Sequence, residues 1–307
     1  MRILITGATG LVGRNLLQIL VRNHQLTLIG RSKDKLVKLF QDQGECLTWD
    51  DITLDIVKKH DVVINLAGEN IGAKRWSEKH KNTIIHSRIK TTSLLSYLCA
   101  QLGKNGPRLI NASAIGIYGS AFDSMNCQAA TENDFPTSAQ KNYLHQVAFA
   151  WEKKLQPAID AGVNVIIMRF AIILDRHDGA LSKILPSFQV GAGAILGSGV
   201  QPFAWVLIED VIKALCFMMI NKIPSGAYNI VSDEVTTQKK FAKILAKILH
   251  RPVLFRVPSP IIKILLGQMG KELLLEGANV SNQKIKDLGF SFDYPTLNKA
   301  LGHLFLQ

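Results

Sequence analysis

The sequence predicts an α/β protein, a doubly wound parallel sheet with a small C-terminal α/β lobe. Three observations predict it. Apolar, strand-like runs alternate with helix-period segments through the first half of the chain. A glycine-rich string follows the first of these runs directly, and the alternation breaks after about Asp175. Strands that are apolar on both faces, with helical segments between them, belong to a parallel sheet covered on both sides.

Residues 2–6 form the first predicted strand, 11–22 an amphipathic helix and 25–30 the second strand. A helix over 33–41, a short strand at 46–49 and strands at 61–66, 108–112 and 163–174 continue the series. Helices are predicted over 78–102 and 141–161. Residues 179–199, rich in Gly, Pro and Ser around a short helical stretch, read as loops over a site. A helix at 209–220, a strand at 226–231 and helices at 237–249 and 259–275 complete the chain. The predicted division puts 1–174 with 200–222 in a nucleotide-binding domain. It puts 175–199 with 223–307 in a substrate lobe closing over the carboxyl ends of the strands, where open α/β sheets bind ligands.

Composition narrows the function classes. Of 307 residues, 47% are hydrophobic and 20% charged, which suits a well-buried globular chain rather than a disordered one. No apolar run is long enough to span a bilayer, since Arg169 interrupts the nearest candidate. The chain enters a strand at once, with no cleavable signal pattern. Cys46, Cys99, Cys127 and Cys216 lie far apart and form no CxxC pair, and the 8 histidines show no ligand spacing. Reduced thiols, a cytoplasmic location and no metal are therefore expected. The formal charge of +12 invites an anionic ligand, but the basic residues are dispersed without interleaved aromatics. That pattern argues against nucleic acid. The expected partner is a small-molecule substrate, with no nucleic acid and no membrane, and the oligomeric state stays open.

Thr6-Gly7-Ala8-Thr9-Gly10-Leu11-Val12-Gly13 follows a strand and opens a helix, the context a dinucleotide-binding Rossmann turn requires. Gly7 permits the tight turn, Gly10 lets the backbone approach a pyrophosphate, and Gly13 lets helix pack on strand. The helix start offers unpaired N–H groups and a positive dipole. The end of the second strand selects the cofactor. An acid there would bond a ribose 2′-hydroxyl, whereas this chain has Gly30-Arg31-Ser32. Arg31 can grip a 2′-phosphate and Ser32 can add a hydroxyl, so NADP(H) is predicted. Asp34 lies close by but is expected on the next helix, facing solvent.

These features resemble the extended short-chain dehydrogenase/reductase superfamily, and within it the atypical branch of nucleoside-diphosphate-sugar epimerase-like proteins. The supporting strings are Ala67-Gly68-Glu69-Asn70-Ile71 with Lys74-Arg75-Trp76, Ser87-Arg88-Ile89, Ala112-Ser113-Ala114-Ile115-Gly116-Ile117-Tyr118-Gly119, Trp151-Glu152, Gly197-Ser198-Gly199-Val200-Gln201 before Trp205, and Gly289-Phe290-Ser291-Phe292. The resemblance implies that Leu66, Ala67 and Gly68 line the ribose on the nicotinamide side. It also implies that Asp50 lies on the adenine side. Ser113 fits the superfamily's substrate-orienting hydroxyl. The Tyr-x-x-x-Lys pair that transfers the proton there is missing: the expected positions hold Leu144 and Ala148, and Tyr143 lies one residue off. A 100° rotation per residue keeps Tyr143 from standing in. Relatives often carry a His where this chain has Leu207.

Tyr118 is the remaining phenol near the predicted site, either a proton donor or a packing residue. Arg169 breaks an apolar strand, and a buried arginine needs a partner. It is either a cleft residue or half of an internal ion pair. Glu69 and Arg75 fall on a loop at the nicotinamide end and offer an anionic-substrate pocket or a solvated rim. Gln201 and Trp205 read a polar substrate or clamp the lobes. The function expected is that of an NADP(H)-dependent oxidoreductase or epimerase acting on a small polar, nucleotide-sugar-like substrate. The alternative is a catalytically weak NADP(H)-binding sensor or interaction protein.

Overall fold

The computed structural model describes residues 1–126 and 128–306, so Cys127 lies outside the described residues. The chain alternates strand and helix through β1 (Arg2–Thr6), α1 (Leu11–Leu20), β2 (Gln25–Gly30), α2 (Lys33–Phe40), β3 (Glu45–Thr48), α3 (Leu54–Lys58), β4 (Val62–Asn65) and α4 (Glu78–Leu102). It continues through β5 (Arg108–Ala114), α5 (Tyr143–Lys153), α6 (Gln156–Asp160) and β6 (Val165–Phe170). After β6 come β7 (Ile172–Leu174), α7 (Gly179–Gln189), β8 (Ala194–Leu196), β9 (Pro202–Phe203), β10 (Trp205–Leu207), α8 (Ile208–Ile220) and β11 (Gly226–Ile230). The chain closes with β12 (Thr236–Thr237), α9 (Gln238–Ile248), β13 (Phe255–Val257), α10 (Ser259–Gly270), α11 (Gln283–Asp287) and α12 (Leu297–Phe305).

Seven parallel strands build the central sheet in the order β3-β2-β1-β4-β5-β6-β11. Alternate residues of each strand feed two different cores. Ile3 and Ile5 of β1 pack with Leu16, Leu17 and Leu20 of α1, while Leu4 packs with Leu95 and Cys99 of α4. Val62 and Ile64 of β4 share the first core, Val63 the second. Both faces are therefore buried, which is why these strands read as unbroken apolar runs. The order reverses between β1 and β4, and there the carboxyl ends of the strands part to leave a crevice. A third core, with Trp205, Phe241, Leu245, Leu297 and Leu301, belongs to the small lobe.

Several predicted elements differ from what folds. The apolar run at 163–174 is two strands. β6 pairs with β5 and β11, but β7 leaves the sheet to pair with β10. The change occurs at Ala171, whose N–H donates to Ile230 O, whereas that of Ile172 donates to Ala204 O. Gly226–Ile230, grouped with the small lobe on sequence, is the edge strand of the central sheet. The helix predicted over 141–161 ends at Lys153, and Pro157 opens the short α6. The short helical stretch expected within 179–199 is the eleven-residue α7, and the unexpected β8 follows it. The helix predicted over 259–275 kinks at Gly267, whose φ of 60° leaves the helical region, and closes in a π turn at Lys271–Leu275. Among the described residues no helix is long and apolar enough to cross a membrane.

The first glycine turn shows how tightly α1 sits on β1. A Cβ on Gly13 would lie 2.4 Å from Gly7 O and 2.7 Å from Ala8 Cα, both backbone atoms. We expect Gly13→Ala to destabilise the fold by about 1–3 kcal/mol through overpacking. The measurement is the urea midpoint at unchanged m-value.

Candidate functional site

The cofactor cleft is built by backbone before any side chain contributes. Gly7 adopts φ +73° and its carbonyl accepts from Gly10 N–H at 3.0 Å, which closes the turn and aims the start of α1 into the crevice. A Cβ on Gly10 would meet nothing within 4 Å except Gly7 O, at 3.3 Å, so its outer face is an open cradle. The first-turn N–H groups of Leu11 and Val12 face that cradle without intrahelical acceptors. Thr9 O accepts from Arg14 Nη1 at 2.6 Å, and Arg14 also pairs with Asp178 at 2.7 Å, joining the glycine turn to the start of α7. Each of these features suits a dinucleotide pyrophosphate.

At the end of β2, Arg31 is exposed and has no hydrogen bond or ion pair among the described residues. Ser32 caps α2, its Oγ accepting from Lys35 N–H at 3.3 Å. Asp34 sits in the first turn of α2, exposed. Asp50 is exposed in the turn after β3, a turn that Asp51 closes by accepting from Thr48 N–H and Oγ1, both at 2.8 Å. Leu66, Ala67 and Gly68 leave β4 on the other side of the crevice. Asn65 fixes their path: its Oδ1 accepts from Thr6 Oγ1 at 2.7 Å and from Ala67 N–H at 3.3 Å. Its Nδ2 donates to Asn111 Oδ1 at 2.6 Å and to Thr92 Oγ1 at 2.9 Å, and Thr92 Oγ1 also accepts from Trp151 Nε1 at 2.8 Å. Gly68 lies against the Arg88 guanidinium, which stacks over the Trp151 ring at 4.9 Å. Arg88 donates from Nη1 to the carbonyls of Glu69 and Ile84, and its buried Nε has no partner among the described residues. Burial lowers its pKa to about 10.

The carboxyl ends of β5 and β6 meet in a second buried network. Ser113 and Arg169 are register partners. Glu152 of α5 accepts from Arg169 Nε at 2.9 Å and from Nη2 at 2.8 Å, a bidentate pair, and from Ser113 Oγ at 2.6 Å. Arg169 Nη1 donates to Tyr118 Oη at 3.1 Å and to Glu132 O at 3.0 Å. Tyr118 Oη donates to Asn229 Oδ1 at 2.7 Å, and Glu132 accepts from Asn229 N–H at 2.8 Å. Burial favours loss of the Arg169 proton, but hydrogen bonds and charge from Glu152 outweigh it and hold the guanidinium well above its ordinary pKa. Burial pushes Tyr118 up to about 12, against the opposing pull of Arg169 and Asn229.

Of the two readings of Arg169 and Tyr118, the geometry is that of an internal ion pair and a packing phenol. Arg169 is 3% exposed and Tyr118 0%. Sequence reasoning missed Glu152 as the partner of Arg169; the available signal was an acid on the inner face of a helix that also carries Val147, Ala148 and Trp151. Where the superfamily places its Tyr and Lys, Leu144 packs on Gly116 and Ala148 is buried in the core.

Beyond Leu11 and Ile115 the crevice deepens into a cavity of about 460 Å³, between the sheet and the small lobe. Gln201 lines it, but its Nε2 donates to Leu196 O at 3.1 Å and to Leu274 O at 2.8 Å, the clamp of the two readings. Trp205 does not line it: the ring is buried in the small-lobe core and its Nε1 donates to Glu234 O at 2.8 Å. Glu69 N–H donates to Ser87 Oγ at 3.0 Å, and Arg75 reaches across to Ile264 O at 3.4 Å, tying the loop after β4 to α10. Neither side chain borders the cavity.

A model of the NAD dependent epimerase/dehydratase family matches residues 3–231, and a domain of unknown function matches 257–304. An epimerase family protein of Mycobacterium tuberculosis is 33% identical over 300 residues, covering 97% of this chain and 96% of the relative. One from Staphylococcus aureus is 33% identical over 309 residues, covering 99% of each. The crystal structure of human epimerase family protein SDR39U1 (isoform 2) with NADPH superposes with a TM-score of 0.86 at 26% identity, covering 100% of both chains. UDP-glucuronic acid 4-epimerase from Bacillus cereus, in complex with UDP-glucuronic acid and NAD, shares the fold at a TM-score of 0.77 and 18% identity, covering 99% of this chain and 98% of that one.

The ion pair predicts its own disruption. Glu152→Gln leaves the Arg169 charge buried without a counter-charge and is expected to destabilise the protein by about 3–5 kcal/mol. Replacing both residues, Glu152→Gln with Arg169→Met, should recover part of that loss, as read by chemical denaturation of the single and double variants.

Proposed function

The chain belongs to the NAD dependent epimerase/dehydratase family, and from that premise we propose that it is an NADP(H)-dependent oxidoreductase or epimerase of the extended short-chain type. The observation that carries the cofactor choice is Arg31. It stands exposed and unpaired at the end of β2, beside the Ser32-capped start of α2, where no carboxylate occupies the strand end. A guanidinium and a helix start together suit a 2′-phosphate. That the human relative was solved with NADPH supports the same reading.

In this reading the turn at Gly7, Gly10 and Gly13 holds the pyrophosphate, with Thr9, Leu11 and Val12 around it. Asp50 borders the adenine side, and Leu66, Ala67 and Gly68 the ribose on the nicotinamide side. The bound nicotinamide supplies or accepts hydride at one carbon. Ser113 and Tyr118 each donate their own proton inside the protein, to Glu152 and Asn229. We assign them to holding the end of β5 in place beside Ile115, and the proton exchanged with substrate to water. A second reading, an NADP(H)-binding protein without turnover, draws on Leu144 and Ala148 standing where the proton-transfer pair belongs. Oxidation of NADPH over a panel of carbonyl compounds separates the two; tight binding with no oxidation across the panel favours the second.

Two variants test the assignment. Arg31→Ala should weaken NADPH about ten- to a hundredfold while leaving NADH within about twofold, in line with the loss of hydrogen bonds to a charged group. Equal affinity of the parent for NADH and NADPH overturns the cofactor choice. Tyr118→Phe should cost about 1–3 kcal/mol of stability by leaving Arg169 and Asn229 short of a partner. It should leave turnover per folded molecule unchanged, and a large fall in kcat returns Tyr118 to the chemistry.

A further inference from the structure

We infer that the cavity beside the cofactor cleft takes an uncharged, largely hydrocarbon molecule with a single polar head, and not a nucleoside diphosphate sugar. The inference rests on the cofactor reading above, because Leu11 and Ile115 are shared by the cleft and the cavity.

Each polar side chain in the depth of the wall has a protein partner at one atom at least. Besides the clamp made by Gln201, Gln238 Oε1 accepts from Leu196 N–H at 3.0 Å. Glu276 accepts from Asn142 Nδ2 at 3.0 Å and pairs with Lys271 at 3.3 Å. Apart from the Gln238 amide nitrogen, which has no partner among the described residues, the lining is mainly aliphatic and aromatic, supplied by Ile71, Ile184, Phe203, Met269 and Leu273 among others. The kink at Gly267 and the π turn that follows it carry Leu273 and Leu274 into this wall.

Charge points the same way. Among the described residues lining the cavity, Lys183 is the one cation and Glu276 the one anion. Lys183 is exposed at the rim and donates to Gly72 O. A diphosphate would bring two negative charges into a wall of zero net charge. Buried charge without a counter-charge is strongly disfavoured. Arg75, three residues beyond the lining residue Gly72, points to α10 instead. One polar head can be met at the rim, where Asn70 keeps its Oδ1 on Gly72 N–H at 2.9 Å and its Nδ2 has no partner among the described residues. A cavity of about 460 Å³ holds a medium-length chain or a fused ring.

Isothermal titration of the full chain with hexanol, octanol, decanol and UDP-glucose, each with and without NADPH, tests the inference. The alcohols should bind with affinity rising about fourfold per methylene and with negative heat-capacity change. UDP-glucose should show no binding at the same concentrations. Ile184→Trp should weaken decanol at least about tenfold by filling the wall, while its NADPH affinity, measured separately, reports that the variant is folded. Tighter binding of UDP-glucose than of decanol, an affinity flat with chain length, or no bound alcohol each overturns the inference. Failure of the parent to bind NADPH overturns the cofactor reading alone, since the alcohol series without NADPH still decides what the cavity takes.

Discussion

The bidentate contact between Arg169 and Glu152 is the interaction on which the arrangement of the site depends. It fastens β6 to α5, and through Ser113 it fastens β5 to both. Through Tyr118 and Asn229 it reaches β11, the last strand of the sheet. Three strand ends and one helix thus share a single buried charge pair. A buried pair is weak evidence for stability, because an apolar replacement of similar volume can do as well. Its use is geometric: the carboxylate fork accepts the guanidinium in one plane only, so the strand ends can meet in only one way. In the wider superfamily the helix at this place carries the proton-transfer pair. Here α5 carries Trp151 and Glu152 inward, and each holds a neighbouring element rather than a substrate.

Local determinants were legible in the sequence and long-range ones were not. The glycine string could be read because its three constraints, a positive φ, a close approach and a helix start, all fall within eight consecutive residues. Arg31 could be read because the strand end is defined by the residues beside it. The run at 163–174 could not be divided, since β6 and β7 are both mainly apolar and what separates them is their partners. Gly226–Ile230 was legible as a strand but not as part of the central sheet, because membership is set by β6, some sixty residues earlier. The kink at Gly267 was open to inspection as a glycine within a helical pattern, but its direction follows from packing against the cavity wall.

The candidate site divides along the same line. Residues chosen for their charge or ring were the visible ones, and the structure gives most of them internal partners: Arg169 holds Glu152, Gln201 the backbone at Leu196 and Leu274, and Trp205 the carbonyl of Glu234. Visibility in sequence favours polar residues, and buried polar residues are bonded. The wall of the cavity was invisible for the opposite reason. Ile71, Ile184 and Leu273 are indistinguishable in a sequence from residues of the core, because an apolar surface facing a cavity obeys the same pattern as one facing a neighbour.

This asymmetry bears on how chemistry is divided in the molecule. In the proposed reading, binding of a dinucleotide depends on backbone geometry and on Arg31 and Ser32 at the end of β2, neither of which has a hydrogen bond to the Arg169–Glu152 network among the described residues. The inferred second ligand would be selected by the apolar wall to which α7, α9 and the kinked α10 contribute. The helix that elsewhere would move the proton is α5, and in this chain its inner face holds neighbouring elements through Trp151 and Glu152. Strain and exposed polar groups at a site cost stability. Exchanging an exposed phenol and amine for Leu144 and Ala148 removes that cost and the strong acid/base with it. A cofactor whose hydride chemistry is intrinsic can still act in such a setting, provided the ligand is held against it by shape. In the reading proposed above, the burden of catalysis shifts from proton delivery to placement, and placement in an apolar wall is set by the fit of hydrocarbon surface.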